Sequence, residues 1–137
     1  MNKLIVSAFM LMSFLMHAQK NKNSIINKTF IAKTGSVCEE TPDDNSCAGT
    51  EIYLVLHFTR KFVSAEEKQI SSCGEETTSP IGVFAWKWKK AGKLDIMSNE
   101  GTFLQNLSLQ YHNGELTGKE INEIKKISKY HFRESIN

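Results

Sequence analysis

Three cysteines, Cys38, Cys47 and Cys73, have the widest chemistry open to them in this chain. Two thiols within reach of each other close a loop, whereas three thiolates around one point hold a soft ion such as Cu(I) or zinc. An odd count leaves one thiol spare inside the chain, or open to a second chain. Cys38 and Cys47 flank the acidic turn of "SVCEETPDDNSCAGT". His57, ten residues beyond Cys47, joins such a cluster only where its strand bends, and an isolated strand histidine reads first as a packed or edge residue. Glu39, Glu40, Asp43 and Asp44 lack the spacing of a calcium loop and read as a solvated turn. Aromatic side chains form the second group. Phe84, Trp86 and Trp88 alternate with smaller or charged residues in "VFAWKWK", and with Tyr53 and Tyr111 as polar handles they either offer π-faces to a small apolar ligand or fill an interior.

No nucleophile elbow, paired-histidine metal motif, phosphate-binding loop or dinucleotide fingerprint occurs in the sequence. His57, His112 and His131 have no Asp or Ser partner by motif, and carboxylates sit beside lysines, as in "AEEK" and "NEIKK". The chain therefore reads as a non-enzyme without a cofactor, and no residue is assigned as a metal ligand.

The elements that must position these groups are strands. Period two places Phe84, Trp86 and Trp88 on one face, and Leu107, Leu109 and Tyr111 on another, as half-buried strands require. Asn113-Gly114 supplies a two-residue hairpin turn that sets Tyr111 opposite Leu116. Further strands are expected at 28–34, 51–58, 62–70 and 93–98, the last reached through a turn at Lys90-Ala91-Gly92. In the tail, Ile121, Ile124 and Ile127 recur at three, which predicts a short helical segment, followed by a strand through Tyr130 and Phe132. Seven or eight short antiparallel strands joined by tight turns predict an all-β fold, a small up-and-down barrel or a curled meander.

The first residues, "MNKLIVSAFMLMSFLMHAQK", carry Lys3, an apolar run from Leu4 to Met16 and a small residue at Ala18. This pattern predicts a signal peptide over 1–18, too short in its apolar run to span a bilayer. A flexible arm over 19–26 and a single domain over 27–137 follow. Export to the periplasm or the exterior favours disulfides. The formal charge of the whole chain is +2, so composition points to neither nucleic acid nor a stable membrane anchor, and a monomer is expected.

"CAGTEIYLVLHFTRKFVSAEEKQ" followed by "IGVFAWKWKKAGKLDIMS" resembles the N-terminal region of NlpE-type envelope lipoproteins and, more broadly, lipocalin-like small barrels. The resemblance covers about residues 47–98 and implies the barrel. The Cys-x-x-Cys of that family is replaced here by eight intervening residues between Cys38 and Cys47. The lipid-attachment cysteine is missing, so the family's metal and sensing roles are not carried over.

Two registers then compete for the cysteines. Thr34 opposite Glu51 extends to set Cys38 beside Cys47, and Phe58 opposite Phe62 extends to set Cys47 opposite Cys73. The shorter loop favours a Cys38–Cys47 disulfide with Cys73 as the free thiol. The expected function is a secreted or periplasmic lipocalin-like binding protein, holding a small apolar ligand among Phe84, Trp86, Trp88, Tyr53 and Tyr111. The alternatives are an envelope interaction, sensing or inhibitor protein that acts through its surface, and a soft-metal protein that uses the cysteines.

Overall fold

Alternating side chains, punctuated by short turns, wind the chain into a closed antiparallel barrel in which each strand pairs with the next and the last returns to the first. The computed structural model describes residues 24–38, 49–98 and 101–136. The strands are β1 (Lys28–Cys38), β2 (Gly49–Phe58), β3 (Phe62–Ser71), β4 (Glu76–Trp88), β5 (Lys93–Ile96), β6 (Leu107–His112), β7 (Glu115–Ile121) and β8 (Ile127–Ser135). Two 3-10 turns, Lys90–Gly92 and Phe103–Asn106, are the only helical pieces among the described residues. The expected signal peptide, residues 19–23 of the expected arm, Cys47 and the acidic residues Glu39, Glu40, Asp43 and Asp44 lie outside the described residues.

Period two decides which side chains face inward. Phe30 and Ala32 of β1, Leu54, Leu56 and Phe58 of β2, Val63 and Ala65 of β3, and Phe84 and Trp86 of β4 are buried in one cluster. Leu107, Leu109 and Tyr111 of β6, Leu116 of β7 and Phe132 of β8 close it from the other side. Ser24–Asn27 form a turn rather than a loose arm: the Asn27 N–H donates to Phe58 O at 2.7 Å, and Ile25 is 0% exposed within the core.

The strands are unequal. β1 to β4 run for 10–13 residues, whereas β5 has four. β1 meets β8 only over Thr29–Ile31, and β4 meets β5 only over Trp86–Trp88. The β1–β4 sheet therefore continues past the barrel body on the side of Cys38, Gly49, Ser71 and Glu76, which we call the rim. The β7–β8 turn lies at this same end.

Register confirms the Asn-Gly hairpin, with Tyr111 opposite Leu116. Three expectations are corrected. No helix forms in the tail: Ile121 pairs across the hairpin with Ile127, and the residues between them make a tight turn. Asn122 O accepts the Lys125 N–H at 2.9 Å, Asn122 Oδ1 accepts the Lys126 N–H at 2.8 Å, and Lys125 is left-handed at φ 58°. A bulge at Thr34 shifts the β1–β2 ladder, so Lys33 faces Tyr53 but Gly35 faces Ile52, and Cys38 lies opposite Gly49. Phe58 faces Val63, one residue beyond the expected Phe62, because Thr59 takes part in the turn through its own side chain.

Candidate functional site

Phe84, Trp86, Trp88 and Tyr111 lie together on the inner side, as the alternation requires, but they pack on one another and on phenylalanines from β1 and β2. Trp86 meets Phe58 at 5.3 Å between ring centroids, Phe58 meets Phe30 at 6.0 Å, Phe30 meets Tyr111 at 6.1 Å, and Tyr111 meets Trp88 at 6.0 Å. All four contacts are edge-to-face, the arrangement in which the positive rim of one ring meets the negative face of the next. The Trp86 indole N–H donates to Thr59 O at 2.9 Å, which satisfies its one polar atom. Phe84 is buried with its ring against Gly82, where an added Cβ would lie 2.7 Å from the ring.

Tyr53 takes the opposite phase. Leu54 and Leu56 point inward, so Tyr53 stands outside beside its cross-strand partner Lys33. Its hydroxyl donates to Glu51 Oε2 at 2.6 Å, and Lys33 forms an ion pair with the same carboxylate. The hydrogen bonds from Lys33 and Tyr53 hold Glu51 below the usual carboxylate range, while the bond to Glu51 raises the Tyr53 phenol. Tyr53 is therefore separated from the four inner aromatics.

The inner face changes character toward the rim. A cleft of about 100 Å³ is lined by Thr34, Tyr53, Leu54, Glu67, Ile81 and Phe103. Gln69 Nε2 donates to Glu67 Oε1 at 2.7 Å, and Phe103 meets Tyr130 edge-on at 5.9 Å. Tyr130 donates to Glu120 Oε2 at 2.6 Å. Burial, and then that hydrogen bond, push the Tyr130 phenol above its ordinary value, so it stays neutral and acts as a donor at neutral pH. Sequence reasoning missed Glu67, Glu120 and Tyr130, although their period-two phase with Ala65, Leu116 and Phe132 could have found them.

On the outer face a groove of about 450 Å³ holds Thr29, His57, Ser64, Glu66 and Lys68. His57 Nδ1 and Thr29 Oγ1 share a hydrogen bond of 2.8 Å, and among the described residues no carboxylate bonds the other ring nitrogen.

Cys38 is exposed and free, whereas Cys73 is engaged. Cys38 lies opposite Gly49 rather than at the expected level of Cys47: the ladder before Thr34 already runs one residue from the expected register, and the bulge shifts it by one more. Among the described residues no three His, Cys, Asp or Glu side chains converge to hold a metal ion, and no helix is long and apolar enough to cross a membrane.

Set against known proteins, the chain matches no family model, no curated protein and no solved structure. Its function must be argued from its own geometry.

Proposed function

We propose that this is an exported β-barrel protein that acts through its rim and outer surface, without chemistry of its own, on a core that serves as its scaffold. The observation that carries this reading is the aromatic chain from Trp86 through Phe58, Phe30 and Tyr111 to Trp88, in which the rings expected to line a ligand cavity instead satisfy one another. Ligand pockets generally measure about 300–1,000 Å³, and even benzene occupies a cavity of about 150 Å³. The rim cleft of about 100 Å³ falls below both. Titrating the protein with fatty acids and with aromatic ligands should leave the emission of Trp86 and Trp88 unchanged. A saturable one-to-one change would restore the lipocalin-like cavity reading and sink this one.

A second reading keeps a ligand at the rim cleft, favoured by the placement of Glu67, Ile81 and Phe103 around one small space. It takes a compact group with a hydrogen-bond donor, since Glu67 presents only acceptors.

We also infer that a disulfide staples the rim. The chain has three cysteines, Cys38 is free and Cys73 is engaged, which leaves Cys47 as the disulfide partner within the chain. Position 73 follows directly on Ser72, whose N–H donates to Gly49 O at 2.8 Å, and Gly49 is two residues from Cys47 in the sequence. Alkylating the unreduced protein should label Cys38, with the Cys73 peptide recovered joined to that of Cys47. A label on Cys73 alone would refute the staple and return the bond to Cys38.

A further inference from the structure

The β7–β8 hairpin ends in three isoleucines that the fold holds in water. Ile121 is 56% exposed, Ile124 80% and Ile127 59%. They are not loose. Ile121 and Ile127 are direct cross-strand partners, and the hydrogen bonds of Asn122 to the backbone of Lys125 and Lys126 fix the turn with Ile124 at its apex. Three exposed isoleucines gathered on one hydrogen-bonded turn mark a contact surface.

Charge says what the contact is. One rung behind the isoleucine pair on the same outer face, Lys119 lies directly opposite Lys129, and like charges in that position destabilise a sheet. Lys125 and Lys126 add two more positive charges in the turn. None of the four takes part in a salt bridge among the described residues. The tip therefore carries Ile124 among Glu123, Lys125 and Lys126, then the Ile121–Ile127 pair, then a Lys–Lys rung about 7 Å behind that pair, two residues along the strand. Interfacial segments place apolar side chains about 5–10 Å into the boundary of the acyl chains with lysines among the headgroups. A protein partner would need a groove shaped to this convex tip, whereas a fluid interface needs only that order.

We propose that the β7–β8 hairpin tip docks the protein reversibly on an anionic lipid surface, with Ile121, Ile124 and Ile127 inserted and Lys119, Lys125, Lys126 and Lys129 on the headgroups. The proposal rests on the reading that the protein works through its rim. The small charge of the whole chain, +2, is compatible with it because headgroup attraction acts within about a Debye length and depends on the local cluster.

The test uses the protein as purified after export, in co-sedimentation with vesicles of phosphatidylglycerol and phosphatidylcholine in equal parts and with vesicles of phosphatidylcholine alone. Binding to the anionic vesicles is expected, weakening as salt is raised. Combined Ile121→Ser, Ile124→Ser and Ile127→Ser should lower partitioning by about tenfold or more. Combined Lys119→Glu and Lys129→Glu should remove the preference for phosphatidylglycerol. All variants share one N-terminus, so differences between them belong to the tip, and an unchanged near-UV circular dichroism spectrum shows that the barrel has survived. Ile124→Trp should report insertion as quenching by brominated acyl chains. Equal binding by the serine variant, or no preference for anionic vesicles, overturns the proposal. So does a tip that ignores vesicles yet is needed to bind an envelope protein, although that result would leave the rim reading standing. A saturable ligand response at Trp86 and Trp88 would be a separate failure, that of the rim reading itself.

Discussion

Trp86 is held at both ends, by its N–H on Thr59 O at 2.9 Å and by its ring against Phe58 at 5.3 Å, and it is only 6% exposed. Trp86→Ala should therefore destabilise the fold by about 3–5 kcal/mol, the usual cost of deleting a large buried aromatic, as read from urea unfolding. A loss below about 1 kcal/mol would mean that the ring is not part of the core. The inward phase of Phe84, Trp86 and Tyr111 was legible because smaller, charged or polar residues alternate with them. The outward phase of Tyr53 was legible too, since in "EIYLVLHF" Ile52, Leu54, Leu56 and Phe58 form the wholly apolar phase, while Tyr53 shares the other with Glu51 and His57; grouping it with the inner aromatics overlooked that alternation. The level of Cys38 was not legible, because the β1–β2 ladder starts one residue from the expected register and a bulge at Thr34 shifts every partner beyond it by one more, and no residue type announces either.

At the scale of elements, the turns carry most of the specification. Between β4 and β5, Ala91 and Gly92 both adopt positive φ, 59° and 75°, and a Cβ on Gly92 would come within 2.2 Å of Tyr111 O. Gly92→Ala should cost at least about 1–2 kcal/mol from the left-handed backbone alone, with a further loss from the displaced β6 strand. If urea unfolding places the variant level with the wild type, the turn has another conformation in solution. The hairpins at Asn113-Gly114 and at Lys90-Ala91-Gly92 were readable because Asn113, Gly114 and Gly92 are residues that tolerate positive φ. The β7–β8 turn was not readable as a turn. Three isoleucines spaced at three imitate a helix face, and the deciding groups, the Asn122 side chain and a left-handed Lys125, are ordinary residues at ordinary spacing.

For the molecule as a whole, closure is the property on which the rest depends. A sheet of this kind left open exposes two rows of unpaired backbone groups. β8 removes both, pairing with β7 from Leu116 to Ile121 and with β1 from Thr29 to Ile31. It also brings Phe132 into the core, and its Glu134 takes an ion pair with Lys28 at 2.7 Å, whose hydrogen bond raises the lysine above its ordinary value. The ion pair lies at the surface and adds little, so the strand's main contributions are its ladder and Phe132. A chain ended after Lys126 keeps every hairpin from β1 to β7 and loses only the closing strand. Because nearly all its remaining contacts are local hairpins, a meander that needed no closure would still fold. We expect instead that the shortened chain aggregates through its bare β1 and β7 edges and lacks the near-UV circular dichroism of packed aromatics. A soluble monomer with that signal intact would show that the β1–β4 sheet and its aromatic chain stand alone, and that β8 serves chiefly to carry the rim hairpin.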